Sequence, residues 1–235
     1  DTNPKKELFG KVARALEIFD FRVFGIMRRP INTAEANFNL IAREFLGDFD
    51  QLISDIKDLI KKYSPDKDLK TALMAGDFYY RIQNGDQKYL FWKYENHLRS
   101  DMQPVMPALG LTEFKNDDSK KSLTIEHIVP QSFEDGLKVI ANKKILPDID
   151  EDFEEKFLHC LGNLTIDPKS ANSSKGKKDF ATKDEDYFRQ STFKTQHELG
   201  DFLNSDSGYW DAESIERRRD KIVKFVQQHW SLNQI

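Results

Sequence analysis

The chain has 235 residues, 36 Lys+Arg against 40 Asp+Glu and a net charge of -4, with 38% hydrophobic and 32% charged residues. This composition excludes a protein that coats nucleic acid by bulk attraction, although a locally basic site remains open. A single cysteine, Cys160, excludes an internal disulfide framework and a paired-thiolate structural zinc site, and fits a reducing cytoplasm. No apolar run reaches the roughly 20 residues that span a bilayer, and the start, DTNPKKELFG, has no signal-peptide core. Beginning at Asp1 rather than Met, the chain reads as a C-terminal fragment of a larger protein. The length allows one large domain or two small ones with a sizeable core, and 18 Phe point to aromatic packing.

Leu8, Phe9, Val12, Ala13, Leu16 and Phe19 recur at helical spacing and predict an amphipathic first helix, which Arg29-Pro30 ends, either directly or after a continuation. A second helical stretch begins at Asn32-Thr33 and runs through Leu46. A third carries Phe49, Leu52, Ile53, Ile56, Leu59 and Ile60 and closes at Ser64-Pro65. After a turn at Asn84-Gly85-Asp86, Tyr89, Leu90, Trp92, Tyr94, His97 and Leu98 predict another helix. The proline-rich QPVMPALG, Gln103 to Gly110, predicts a boundary: a helical region over 1–105 and a second region over 106–235.

The second region opens with LTIEHIVPQS, Leu123 to Ser132. Its alternation is that of a short strand, which Pro130 ends. Neighbouring strand residues face opposite ways, so Glu126 and His127 share a site only if the strand ends or bulges there. An acidic insertion, Asp148 to Phe157, reads as a solvated short helix. LGNLTIDP then gives a second strand and a turn, and a Ser/Lys-rich segment opens a helix capped by Ser170 or Asn172. Tyr187 to Leu203 predicts irregular or short helical structure. A last helix carries Ile215, Ile222, Val223, Val226 and Trp230 on one face, a line on which Arg218 also falls. Counted from Ile215, Arg218 and Arg219 fall at i+3 and i+4, so at least one of the two guanidiniums points toward the protein body, to pair with a buried carboxylate or to reach a bound phosphate.

Strand, loop, strand and helix carrying Glu-His, Asn and Asn in that order resemble the HNH or His-Me finger (ββα-metal) nuclease motif. The nine-residue step from Asn163 to Asn172 and the N-x-x-K-G ending match its short version. The resemblance implies a mainly α, α+β protein with a small ββα-metal core. It casts His127 as the base that activates water and Asn163 as the residue that steadies its ring. Glu126 and Asn172 become ligands of Mg²⁺ or Mn²⁺, a hard cation that takes oxygen donors and keeps several waters. The family more often has Asp where Glu126 stands. Lys175 is expected beside the scissile phosphate, and Lys169, Lys177, Lys178 and Arg218 against DNA phosphates. His159 reads as a packing residue.

IEHIVPQS, HCLGNLTI, NSSKGKKDF and the Trp210–Ile215–Arg218–Ile222 helix are together similar to the C-terminal nuclease domain of the GmrSD family. That resemblance, which extends to SspE-type phage-defence proteins, implies a cytoplasmic, metal-dependent DNA endonuclease of a bacterial modification-dependent restriction or antiviral system. It implies phage DNA as substrate, and as partner a nucleotide-hydrolysing N-terminal domain or subunit. One site per chain implies nicking and leaves room for a homo-oligomer. The alternative reading is a catalytically decayed helical module that binds DNA or a partner.

Overall fold

The computed structural model describes residues 4–115, 122–131, 151–178, 180–206 and 210–235. Ser132, the first three residues of the acidic insertion and Asp179 lie outside them. Among the described residues the fold is mainly helical with one two-stranded antiparallel sheet. No helix among the described residues is long and apolar enough to cross a membrane. The chain divides into two compact units, 1–73 with 223–235, and 74–222. The expected boundary at 105/106 lies inside the second.

In the first unit, α1 (Pro4–Phe19) buries Ala15, Ile18 and Phe19 and continues as a π-helical stretch, Asp20–Ile26. The helix thus ends before Arg29-Pro30, and Arg28 takes a positive φ of 54° where the chain turns. A short α2 (Glu35–Glu44) has no buried residue. In α3 (Phe49–Tyr63), Ile53, Ile56, Leu59 and Ile60 are buried at helical spacing, and Asp48 caps it by accepting from Gln51 N at 3.0 Å. Ser64-Pro65 closes α3 as expected, and α4 (Asp66–Leu73) follows. Buried Arg22 holds this corner, donating to Ser64 O, to Asp66 Oδ1 at 2.7 Å and to Trp230 O at 3.3 Å. Phe21 stacks on Trp230 at 3.8 Å between ring centroids.

The second unit starts with α5 (Phe78–Arg81) and α6 (Asn84–Ser100). Asn84-Gly85-Asp86 forms the first turn of α6 rather than a separate turn, because Asp86 suits a helix N-terminus. After α7 (Leu111–Phe114) comes β1 (Leu123–His127), which pairs with β2 (Leu164–Pro168) so that Glu126 faces Thr165 and His127 faces Leu164. Between them, α8 (Glu151–Phe153) runs on to Leu158, and a single 3₁₀ turn covers Leu161–Asn163. Beyond β2 lie α9 (Lys169–Lys175), α10 (Phe180–Lys183), α11 (Lys194–His197) and α12 (Ala212–His229), whose residues are shared between the two units. Phe153, Phe180, Phe188, Phe202 and Trp210 share one buried cluster with Ile128 and Val129, the residues that follow β1. Phe180 stacks on Trp210 at 5.4 Å, so the expected aromatic packing directly underlies the strand end that carries His127.

Candidate active site

β1, β2 and α9 follow one another as strand, strand and helix, and Glu126, His127 and Asn172 all line one cavity of about 300 Å³. Tyr79, Pro130, Gln131, Lys177 and Lys183 complete much of its wall. Adjacent residues reach the same cavity because strand pairing stops at His127. Beyond that point Asn163 takes over. Its backbone O accepts from Ile128 N at 2.9 Å, and its side-chain Oδ1 accepts from Val129 N at 2.9 Å. Its Nδ2 donates to Val129 O at 3.2 Å and Leu158 O at 2.9 Å. Asn163, fully buried, is therefore a clamp on the chain after β1. It was expected on the ring of His127; its side chain bonds backbone instead, because the strand end leaves polar groups that only a buried amide can satisfy.

The ring of His127 has other partners. Gln131 Nε2 lies 2.9 Å from its Nδ1, and His159 Nδ1 lies 3.2 Å from its Nε2. His159 Nε2 is in turn 3.3 Å from Tyr80 OH, and the Tyr79 ring packs edge-on against His127 at 4.6 Å. Burial drives the pKa of His127 down to about 3, with the neighbouring His159 and Lys183 adding to the effect, so the ring is neutral at neutral pH.

Glu126 is buried, and Lys183 Nζ donates to its Oε1 at 2.5 Å. The same ammonium reaches His127 O at 2.7 Å and Ile128 O at 3.4 Å. Burial pushes the Glu126 carboxyl up and the Lys183 ammonium down, each toward its neutral form, while their contact opposes both shifts. Asn172 donates to Thr124 Oγ1 at 2.9 Å and to Ile125 O at 3.1 Å, which ties α9 to β1. With its nitrogen so engaged, Asn172 Oδ1 has no hydrogen-bond partner among the described residues, nor has Glu126 Oε2. Glu126 and Asn172 thus each bring an oxygen to the wall of one cavity, the donor type that a hard divalent cation takes, with Lys183 already balancing the charge of the carboxylate. Among the described residues no three His, Cys, Asp or Glu cluster as a metal site, so any cation held here rests on this carboxylate–amide pair.

The basic residues divide. Lys169 and Lys177 are exposed, and Lys177 lines the cavity. Lys178 is half-buried and donates to Tyr187 OH at 2.7 Å. Lys175, expected beside the scissile phosphate, is instead buried, 2.9 Å from Asp167 Oδ2 and 3.3 Å from Gln196 Oε1. Gln196 Nε2 reaches Ile166 O and Asp167 Oδ1, each at 2.8 Å, so this group fastens α9 to β2. Arg218, expected against phosphate, takes the other course open to it. Its Nε meets Glu198 Oε1 at 3.1 Å, and its Nη1 donates to Gly162 O at 2.9 Å and Leu164 O at 2.6 Å. It thus brackets Asn163 from both sides. A buried guanidinium needs a carboxylate and carbonyls, and this position supplies them.

Sequence reasoning read His159 only as a packing residue and gave no site role to Gln131, Tyr79 or Lys183. The one available signal was position: His159 stands four residues before Asn163, and Gln131 four after His127. Comparison with curated proteins and with solved structures finds no match. The model of the GmrSD restriction endonuclease C-terminal domain matches residues 63–225, well over half of the chain. With the strand–strand–helix core and its cavity inside the matched span, the chain belongs to the GmrSD restriction endonuclease family, as a C-terminal domain whose reaction is that of a nuclease on DNA.

Proposed function

We propose that this cavity is an HNH-type active site that hydrolyses DNA phosphodiesters with the help of Mg²⁺ or Mn²⁺. The observation that carries the reading is the meeting of Glu126, His127 and Asn172 on one cavity wall, the first two from β1 and the third from α9, the helix that follows β2. Neutral His127 accepts a proton from water as the water oxygen attacks phosphorus, and the bond to the departing 3′ oxygen breaks. Glu126 and Asn172 would hold the cation. When bound, the ion supplies Lewis-acid stabilisation of charge on the phosphate and leaving oxygen. Lys177, exposed on the rim, steadies a neighbouring phosphate.

One site per chain makes nicking the elementary reaction, and a double-strand break the work of two chains or two visits. The setting proposed is a bacterial modification-dependent restriction or anti-phage system, cytoplasmic, with a nucleotide-hydrolysing domain or subunit as partner. Supercoiled-plasmid nicking tests the reading. Wild type is expected to nick only with Mg²⁺ or Mn²⁺, and His127→Ala to lose about 10²–10⁴-fold in rate with DNA affinity unchanged. Nicking by His127→Ala at the wild-type rate refutes it. Tight DNA binding by an inactive wild type would favour a decayed binding module.

A further inference from the structure

We infer that His159 is the residue that fixes the ring of His127: its Nδ1 accepts the His127 Nε2–H and leaves the His127 Nδ1 lone pair turned toward the cavity. This deepens the nuclease reading and rests on it for the role of His127. Three observations carry it. The Gln131 amide nitrogen lies 2.9 Å from His127 Nδ1 and Gln131 lines the cavity, so Nδ1 is the acceptor on the cavity side. A neutral imidazole bears one hydrogen, which then belongs to Nε2, and the only ring-nitrogen neighbour there among the described residues is His159 Nδ1 at 3.2 Å. His159 Nε2–H then meets Tyr80 OH at 3.3 Å, so donors and acceptors alternate consistently from Gln131 to Tyr80.

His159 is itself held in place. Its backbone O accepts from Tyr79 N at 2.9 Å, and Tyr79 and Tyr80 pack on its ring at 6.1 and 4.5 Å. The approach is close, since a Cβ on Gly76 would lie 2.2 Å from Glu155 O. The imidazole ring can turn about its last side-chain bond, and a single fixed acceptor behind it selects both tautomer and orientation. Asn163 does not do this, because among the described residues its side-chain hydrogen bonds all go to backbone. His159 is thus a positioning residue. During the reaction water takes the place of the Gln131 amide at Nδ1, which then receives water's proton, and the His159 acceptor steadies the imidazolium that forms.

The side-chain geometry provides a discriminating test. In Asn the amide oxygen occupies the place of the imidazole Nδ1, whereas in Gln the amide is carried farther out, toward the place of Nε2. His159→Ala and His159→Gln are therefore expected to lower kcat for nicking about 10–10²-fold with KM for DNA unchanged. His159→Asn is expected to stay within about threefold of wild type. A purely packing role predicts the reverse order, since Gln is closer in size to His. A second readout is free of activity: ¹⁵N-detected imidazole spectra should show His127 as the Nε2–H tautomer in wild type and His159→Asn, and as a mixture in His159→Ala. An unchanged tautomer in His159→Ala, or rescue by Gln as good as by Asn, overturns the inference. Wild-type nicking by His127→Ala would instead remove the assignment of the base, while the spectra still decide whether His159 sets the ring.

Discussion

The Lys183 ammonium lies 2.5 Å from Glu126 Oε1, and neither side chain is more than 6% exposed. Removing one member of such a pair leaves an uncompensated buried charge, which typically costs about 3–5 kcal/mol. Lys183→Met is therefore expected to lower the urea midpoint strongly. Glu126→Gln in the same chain should return much of the loss. Additive effects of the two changes in a double-mutant cycle would show that the contact carries no coupling.

Glu126→Ala and Asn172→Ala each remove one proposed cation ligand. Both should raise the Mn²⁺ concentration needed for half-maximal nicking, and excess Mn²⁺ should partly restore the rate. His127→Ala should gain nothing from extra Mn²⁺, because its defect is proton transfer. Metal titrations of the three variants, followed by nicking, check the division of roles.

The division among the lysines predicts two different failures. Lys177→Ala should flatten the slope of log K against log salt by about 0.9 for one lost phosphate contact, with stability unchanged. Lys175→Ala and Arg218→Ala should leave that slope alone and lower the melting temperature, because each takes a buried cation from a buried carboxylate, leaving Asp167 with Gln196 and Glu198 with Lys221 and Tyr94. Binding over a salt series in Ca²⁺, beside thermal melts, separates the outcomes. A flattened slope in Arg218→Ala would put that helix against DNA after all.

The acid stability of the metal-free protein should carry the signature of His127. Its folded pKa, about 3, lies below the unfolded value near 6.5. Between these values the unfolded chain binds a proton that the folded chain refuses, so this group's contribution is present above about pH 6.5 and is lost as pH falls toward 3. The slope is at most about 1.4 kcal/mol per pH unit. Subtracting the denaturation profile of His127→Asn from that of wild type isolates it. A difference independent of pH would contradict the buried neutral ring.

The strands, the helices and the Glu-His-Asn-Asn order were legible in the sequence because each rests on local pattern: alternation in Leu123–His127, helical spacing in α3 and α12. What each polar side chain does was less so. Lys175 and Lys183 look like surface cations in a string of letters, and helical spacing says of Arg218 only that it lies on the inward line, yet each is matched by a carboxylate 8, 57 or 20 residues away. Such pairing is decided by tertiary contact. The same holds for His159, whose partner His127 is 32 residues distant and belongs to a strand. Asn163 stands out in the sequence as a polar residue beside a strand, but whether it meets a ring or a backbone depends on how far β1 extends.

At Gly162 the backbone comes so near α12 that a Cβ would stand 2.2 Å from Ile215 O and 2.9 Å from Arg219 Cβ. The residue beside it is the clamp Asn163, and Arg218 holds the carbonyls on either flank. The strand–strand–helix finger is consequently not a portable cassette. A graft of residues 123–175 onto a foreign scaffold would carry the site residues but leave Asn163 without the helix that sets its height above β1. Transplantation has to bring the Ala212–Ile222 stretch along, and a larger side chain at 162 should mimic its loss inside the intact chain.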